Sequence, residues 1–201
     1  MLKVSQEIQE IIQKESADGV VRISDFTTHF GYRSSAVIIA LLALPIALPF
    51  TPPGINTPFA IACIFLSFSL ILNKEEFRLP NFINNRKLPF KPDGGFFKAM
   101  TKLLGWVELV IKPRLGWVTN SKFSKPLLGL GILAASIVMI IPLPIINSLS
   151  SLIVLMVALG IVTKDGLVSL LSAIAGFLLL LSSIAIVVYG VYIGQSFFVS
   201  L

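Results

Sequence analysis

The sequence predicts an all-α polytopic membrane protein: duplicated helix–Pro-rich bend–helix hairpins, a C-terminal transmembrane helix and interfacial amphipathic helices. Three observations predict it. The 201-residue chain is 55% hydrophobic and only 13% charged, with a mean hydropathy of +0.91. Soluble domains carry about 25% charged residues, so polar side chains are too few here to cover a water-facing surface. Two apolar regions also bend in the same manner, at prolines followed by an asparagine. The first reads Leu44-Pro45-Ile46-Ala47-Leu48-Pro49-Phe50-Thr51-Pro52-Pro53-Gly54-Ile55-Asn56, and the second Ile141-Pro142-Leu143-Pro144-Ile145-Ile146-Asn147.

The elements follow in order. Residues 1–33 form a polar cytoplasmic segment with four basic and five acidic residues. Ser5 to Glu15 reads as a short amphipathic helix with Ile8, Ile11 and Ile12 on one face. No basic start precedes an apolar run, so no cleavable signal peptide is expected. Residues 34–73 form the first hairpin, with arms Ser34 to Phe50 and Thr57 to Asn73. At 1.5 Å per residue each arm reaches about 25 Å, short of the ~30 Å hydrocarbon core. Such arms are short enough to be re-entrant, and equally serve as spans of a thin bilayer.

Residues 74–125 form a linker with eleven basic and four acidic residues, a net of +7 against +6 for the whole chain. Basic loops stay cytoplasmic. Phe96, Met100, Leu103, Val107 and Val110 recur at helical spacing opposite Lys98, Lys102 and Glu108, the pattern of a helix lying in the interface. Trp106 and Trp117 suit an interfacial belt. Pro113 is expected to open a short helix holding Arg114 and Trp117. Residues 126–165 form the second hairpin, and 166–201 the final helix and tail. Leu127 to Ile146 and Leu167 to Tyr189 carry no charge, and each is long enough to cross the bilayer. Ser172 and Gly176 are spaced for close helix packing, within the chain or in a homodimer.

Little recognisable chemistry is present. The spans hold no Asp, Glu, Lys, Arg or His, which argues against a proton relay. A single cysteine, Cys63, excludes an internal disulfide and a cysteine metal cluster. No phosphate loop, zinc spacing or serine elbow appears, so no catalytic residue, metal or cofactor is expected. The basic residues flank apolar segments rather than build a nucleic-acid surface. Pro45 and Pro142 free carbonyls near Leu41 and Val138, which in lipid need protein, water or ligand partners. The candidate bend site is therefore Pro45, Pro49, Pro52, Pro53, Gly54, Asn56, Pro142, Pro144 and Asn147. The plainer expectation for Asn56 and Asn147 is that each caps the following helix. Lys112, Arg114 and Trp117 are candidate contacts to anionic lipid phosphate. Serines within the spans are expected to bond to helix carbonyls.

Several ordered motifs carry a resemblance. They are Leu42-Ala43-Leu44-Pro45, Pro52-Pro53-Gly54, Lys112-Pro113-Arg114-Leu115-Gly116-Trp117-Val118-Thr119, Ile141 to Asn147, and Gly160 with Lys164-Asp165-Gly166. Over about Ser24 to Tyr189 the chain resembles the ExoD family of bacterial exopolysaccharide-synthesis membrane proteins. The resemblance implies a multi-pass protein of the bacterial inner membrane, linked to exopolysaccharide production and its machinery, with no catalytic residues to carry over. The expected function is non-enzymatic support of exopolysaccharide synthesis, assembly or export. The alternative is a small transporter or channel with its site at the paired bends. A membrane enzyme acting on lipid-linked sugars, with Lys112, Arg114 and Asp165 holding a phosphate, ranks last.

Overall fold

The structure is a computed structural model. It describes residues 6, 10, 34–47, 56–72, 102, 105, 106, 109, 111–141 and 144–199. Among these, every regular element is an α-helix: α1 (Ser34–Ala47), α2 (Asn56–Ile71), α3 (Gly116–Asn120), α4 (Ser124–Val138), α5 (Pro144–Thr163) and α6 (Gly166–Val199). Positions 6, 10, 102, 105, 106 and 109 are also helical. Two helices are long and apolar enough to cross a membrane, over Ile145–Thr163 and Gly166–Ile193.

Apolar side chains on all faces allow a helix to be buried on all faces. In α1 this happens: Val37, Ile38, Ile39, Ala40, Leu41, Ala43, Leu44 and Ile46 are all buried. It packs most extensively on α5 and also on α2, while α2 packs on α4 and α4 on α5. The four helices close into a ring around Ile39, Leu44, Leu128, Ile132, Met139, Leu155 and Leu159. Direction follows from one close approach. A Cβ on Gly129, early in α4, would lie 2.9 Å from Ile71 Cγ1 and 3.1 Å from Leu70 Cβ, at the end of α2. With their extensive packing, this makes α2 and α4 antiparallel, so both hairpin tips lie at one end of the ring.

The final helix packs outside the ring, on α4 and α5. Its contact depends on missing side chains. A Cβ on Gly131 would lie 2.5 Å from Ala173 Cβ, and one on Gly176 would lie 2.8 Å from the Gly131 carbonyl oxygen. Gly176 is thus used within the chain. Beyond Ser183 the exposed residues Ile184, Ile186, Val187, Val188, Tyr189, Val191, Tyr192 and Ile193 follow one another on α6.

The sequence misplaces two boundaries. Leu127 to Ile146 reads as one crossing, but α4 ends at Val138 and the chain turns over 139–141. The residues after the Asn147 bend, Ser148 to Thr163, read as a 16-residue arm, but the helix starts at Pro144 and is longer. Proline suits a first helical position because its absent N–H would be unpaired there anyway. The Val138 carbonyl, expected to be free, accepts the Ile141 N–H at 3.1 Å in a tightened last turn.

The tight α4–α6 crossing yields a prediction. Gly131→Ala should destabilise by about 1–3 kcal/mol through overpacking. Gly190→Ala, where a Cβ meets nothing within 4 Å, should be neutral or stabilising by up to about 1 kcal/mol. Thermal unfolding of the purified variants in one detergent measures the difference.

Candidate functional site

Two places gather the candidate residues, at opposite ends of the ring. The first is the corner between α5 and α6. Helix α5 ends with Lys164 in the left-handed region, at φ 62°. The Asp165 N–H then donates to the Gly160 carbonyl at 2.8 Å and the Lys164 N–H to Ile161 at 3.4 Å. This is the Schellman closure, with lysine where glycine is commonest. Asp165 is buried. Its Oδ1 accepts the Val168 N–H at 3.2 Å, capping α6. Its Oδ2 accepts the Lys112 N–H at 2.8 Å across 53 residues of sequence. The Gly166 N–H donates to the Arg114 carbonyl at 2.7 Å, and Ser169 Oγ donates to the Asp165 carbonyl at 2.9 Å.

The stretch 112–115 is thereby laid against the start of α6. A Cβ on Gly166 would collide with the Leu115 carbonyl oxygen, and one on Gly160 with Ser169 Oγ. Leu115 takes a left-handed conformation, φ 49° and ψ 44°, and α3 begins only at Gly116. The helix expected to start at Pro113 and hold Arg114 is therefore shorter: Trp117 lies on it and Arg114 does not. The side chains of Lys112 and Arg114 are exposed, Lys164 is partly exposed, and Trp117 is 68% exposed. Nearby in sequence, Lys102 Nζ stands 5.9 Å from the Trp106 ring centroid. The corner presents cations and an amphipathic ring outward. Both Asp165 oxygens accept backbone N–H groups, so the carboxylate serves the fold. Ser169 was not singled out from sequence, and Lys164 only as part of the Lys164-Asp165-Gly166 motif.

The second place is the tip end of the ring. Pro45 is buried within α1, which runs on to Ala47. Asn56 is the first residue of α2 and 6% exposed; Asn147 lies in the first turn of α5 and is 2% exposed. Neither carboxamide oxygen accepts a hydrogen bond, so neither caps its helix through that atom. Ser136 Oγ, fully buried in α4, is likewise unpaired. Ser136 departs from the expectation for span serines, which Ser67, Ser69, Ser150, Ser151, Ser182 and Ser183 fulfil by donating to carbonyls three or four residues back. Pro144 opens α5. Pro49, Pro52, Pro53, Gly54 and Pro142 lie outside the described residues.

The corner yields a prediction. Asp165→Ala should cost about 2–4 kcal/mol by leaving two N–H groups without their acceptor. It should also hasten tryptic cleavage after Arg114. Asp165→Asn, which keeps one acceptor oxygen, should lose less on both counts. Thermal unfolding and timed digestion check the order.

The chain is similar to curated proteins. An uncharacterized protein of Synechocystis is 27% identical over 169 residues, 84% of this chain and 80% of that protein. Protein ExoD of Rhizobium meliloti is 27% identical over 150 residues, 73% of this chain and 62% of that protein's length. No solved structure is significantly similar. The family described as "Exopolysaccharide synthesis, ExoD" matches residues 4–188, and the chain belongs to it.

Proposed function

We propose that this chain is an integral membrane protein of the bacterial inner membrane that supports exopolysaccharide synthesis, assembly or export without making or breaking a bond itself. One observation carries the membrane part: an exposed apolar belt of bilayer width. On α6 it runs from Leu171 to Ile193, about 33 Å of helix, against ~30 Å for a hydrocarbon core. The outer faces of the ring continue it with Phe65, Phe68, Leu72, Leu127, Leu130 and Leu149. Large exposed apolar surfaces of this kind call for lipid or a partner. The basic corner and Trp117 lie below the belt, where anionic headgroups suit them. Topology follows: the N-terminal segment and the 74–125 linker are cytoplasmic.

Packing supports the hairpins as two copies of one unit. The first helix of each pairs with the second helix of the other, α1 with α5 and α4 with α2, as a two-fold relation produces. The arms of α1, α2 and α4 reach only about 21–24 Å. These three short arms favour hairpins that enter and leave on the cytoplasmic side, although α5 is itself long enough to cross, with α6 as the crossing helix. Transport is the second reading. It is favoured by the unpaired oxygens of Asn56 and Asn147, since broken segments in corresponding halves are where transporters bind substrate.

Single cysteines in a Cys63→Ala background test the topology. Ser121→Cys should label from the cytoplasm and Leu201→Cys from outside, with Thr51→Cys and Ser148→Cys protected from both. Labelling of the last two from outside would replace re-entrant hairpins with full crossings. For function, deletion should alter polymer yield or chain-length distribution. Unchanged values for both would remove the proposed role.

A further inference from the structure

We propose that the α5–α6 corner holds the terminal phosphate of a membrane amphiphile, a monoester or diphosphate end, between Lys112, Arg114 and Lys164. The inference rests on the membrane reading above and gives the corner a ligand. Two stretches far apart in sequence are locked side by side there. The Lys112 N–H donates to Asp165 Oδ2 at 2.8 Å, and the Gly166 N–H donates to the Arg114 carbonyl at 2.7 Å. A Cβ on Gly116 would lie 3.9 Å from Lys164 Cβ. These bonds and the chain itself keep the Cα atoms of the three cationic residues within about 12 Å of one another. Side chains as long as lysine and arginine close such a gap from opposite sides.

The cations are held together without a protein counter-charge. Lys112 and Arg114 are exposed and Lys164 is partly exposed. Among the described residues none of the three forms an ion pair. The Asp165 carboxylate gives both oxygens to backbone N–H groups. Three cations against that one carboxylate leave the joint with two net positive charges. Like charges fixed this close repel, and an anion between them removes the repulsion. Lys112 and Arg114 also stand beside the start of α6, a helix end that favours anions over cations. Lys164 occupies the left-handed position that closes α5, at φ 62°, where glycine is the unstrained choice. A long cation is thus kept there against the preference of the backbone.

The net charge sets the headgroup. A phosphate monoester carries about −1.5 to −2 at neutral pH and three acceptor oxygens, whereas a phosphodiester carries a single charge. The Arg114 fork engages two oxygens together, and each lysine engages one as a point charge. The apolar part of the ligand follows from position. Trp117 adjoins Gly116 with its ring exposed, and Leu171, where the exposed belt of α6 begins, stands about 8 Å along the helix from Gly166. A phosphate at the corner therefore has the bilayer within reach of the chain it carries.

The test uses the full chain in phosphatidylcholine nanodiscs doped with phosphatidic acid or, at equal mole fraction, with phosphatidylglycerol, a diester of the same acyl chains. Native mass spectrometry should show phosphatidic acid retained over phosphatidylglycerol by roughly tenfold. The fold uses only backbone atoms of Lys112 and Arg114. Lys112→Gln and Arg114→Gln should therefore each lower retention of phosphatidic acid severalfold at an unchanged thermal midpoint. Lys164→Gly should do the same while holding or raising the midpoint, since glycine accepts the left-handed turn. Lys122→Gln removes an equal charge from an exposed position outside the joint and should leave retention within twofold. Equal retention of the two lipids, or an equal loss in the Lys122→Gln protein, would reduce the corner to diffuse basic charge and overturn the site. Displacement of phosphatidic acid by excess inorganic phosphate would overturn the amphiphile as its ligand. Release of the chain from native membranes by alkaline carbonate would instead overturn the membrane reading on which the site rests.

Discussion

The Asp165 carboxylate sets the frame for the rest. A buried charge is tolerated only where its lone pairs are engaged. Here two backbone donors, from Lys112 and Val168, engage them at the start of a helix whose dipole favours negative charge. One of those donors belongs to the linker. The bond that neutralises the strain of burial therefore also fixes where the linker runs. Arg114 follows, its carbonyl held by Gly166, and Leu115 must turn left-handed to let α3 dock beneath α6. The lysine and arginine side chains are turned outward as a result, since the backbone faces inward. Without this joint the cationic segment would be an independent tether. With it, the cations sit at a defined height relative to the helices.

That height gives meaning to the helix lengths. From a common base at the corner, α5 reaches the hairpin tip and α6 passes beyond it. Glycines allow α6 to lie close on α4 through Gly131, Ala173 and Gly176, so the lower half of α6 belongs to the ring. Its upper half is exposed, and every side chain there is apolar or aromatic over 184–193 apart from Gly190. A helix of this kind is stable where its surroundings are apolar. The difference in reach between ring and α6 thus sorts the molecule into a basic corner, a four-helix ring and a longer apolar helix that outruns it.

Much of the helix plan was legible because apolar runs, prolines and charge clusters are local signals. The break within Leu127–Ile146 was blurred because its residues are uniformly apolar, and only backbone geometry decides where the turn falls. The cap reading of Asn147 failed for a related reason: Pro144 begins the helix three residues earlier, leaving the asparagine inside the first turn. The motifs Lys112 to Thr119 and Lys164-Asp165-Gly166 were visible separately. Their union was not, because a contact across 53 residues leaves no periodicity to read. Ser136 was invisible in sequence. Nothing distinguishes it from Ser150 or Ser183, each of which finds a carbonyl one turn back.

The contrast between those serines extends to other buried polar groups. In water an unpaired hydroxyl or carboxamide would recruit solvent at little cost, but an apolar belt excludes that remedy. A helix offers each serine an acceptor one turn behind it, so satisfaction is the easy outcome and Ser136 forgoes it. The oxygens of Asn56 and Asn147 are likewise unpaired. These unpaired buried oxygens contrast with the corner, where both Asp165 carboxylate oxygens are engaged. Folding alone would favour apolar residues at Asn56, Asn147 and Ser136.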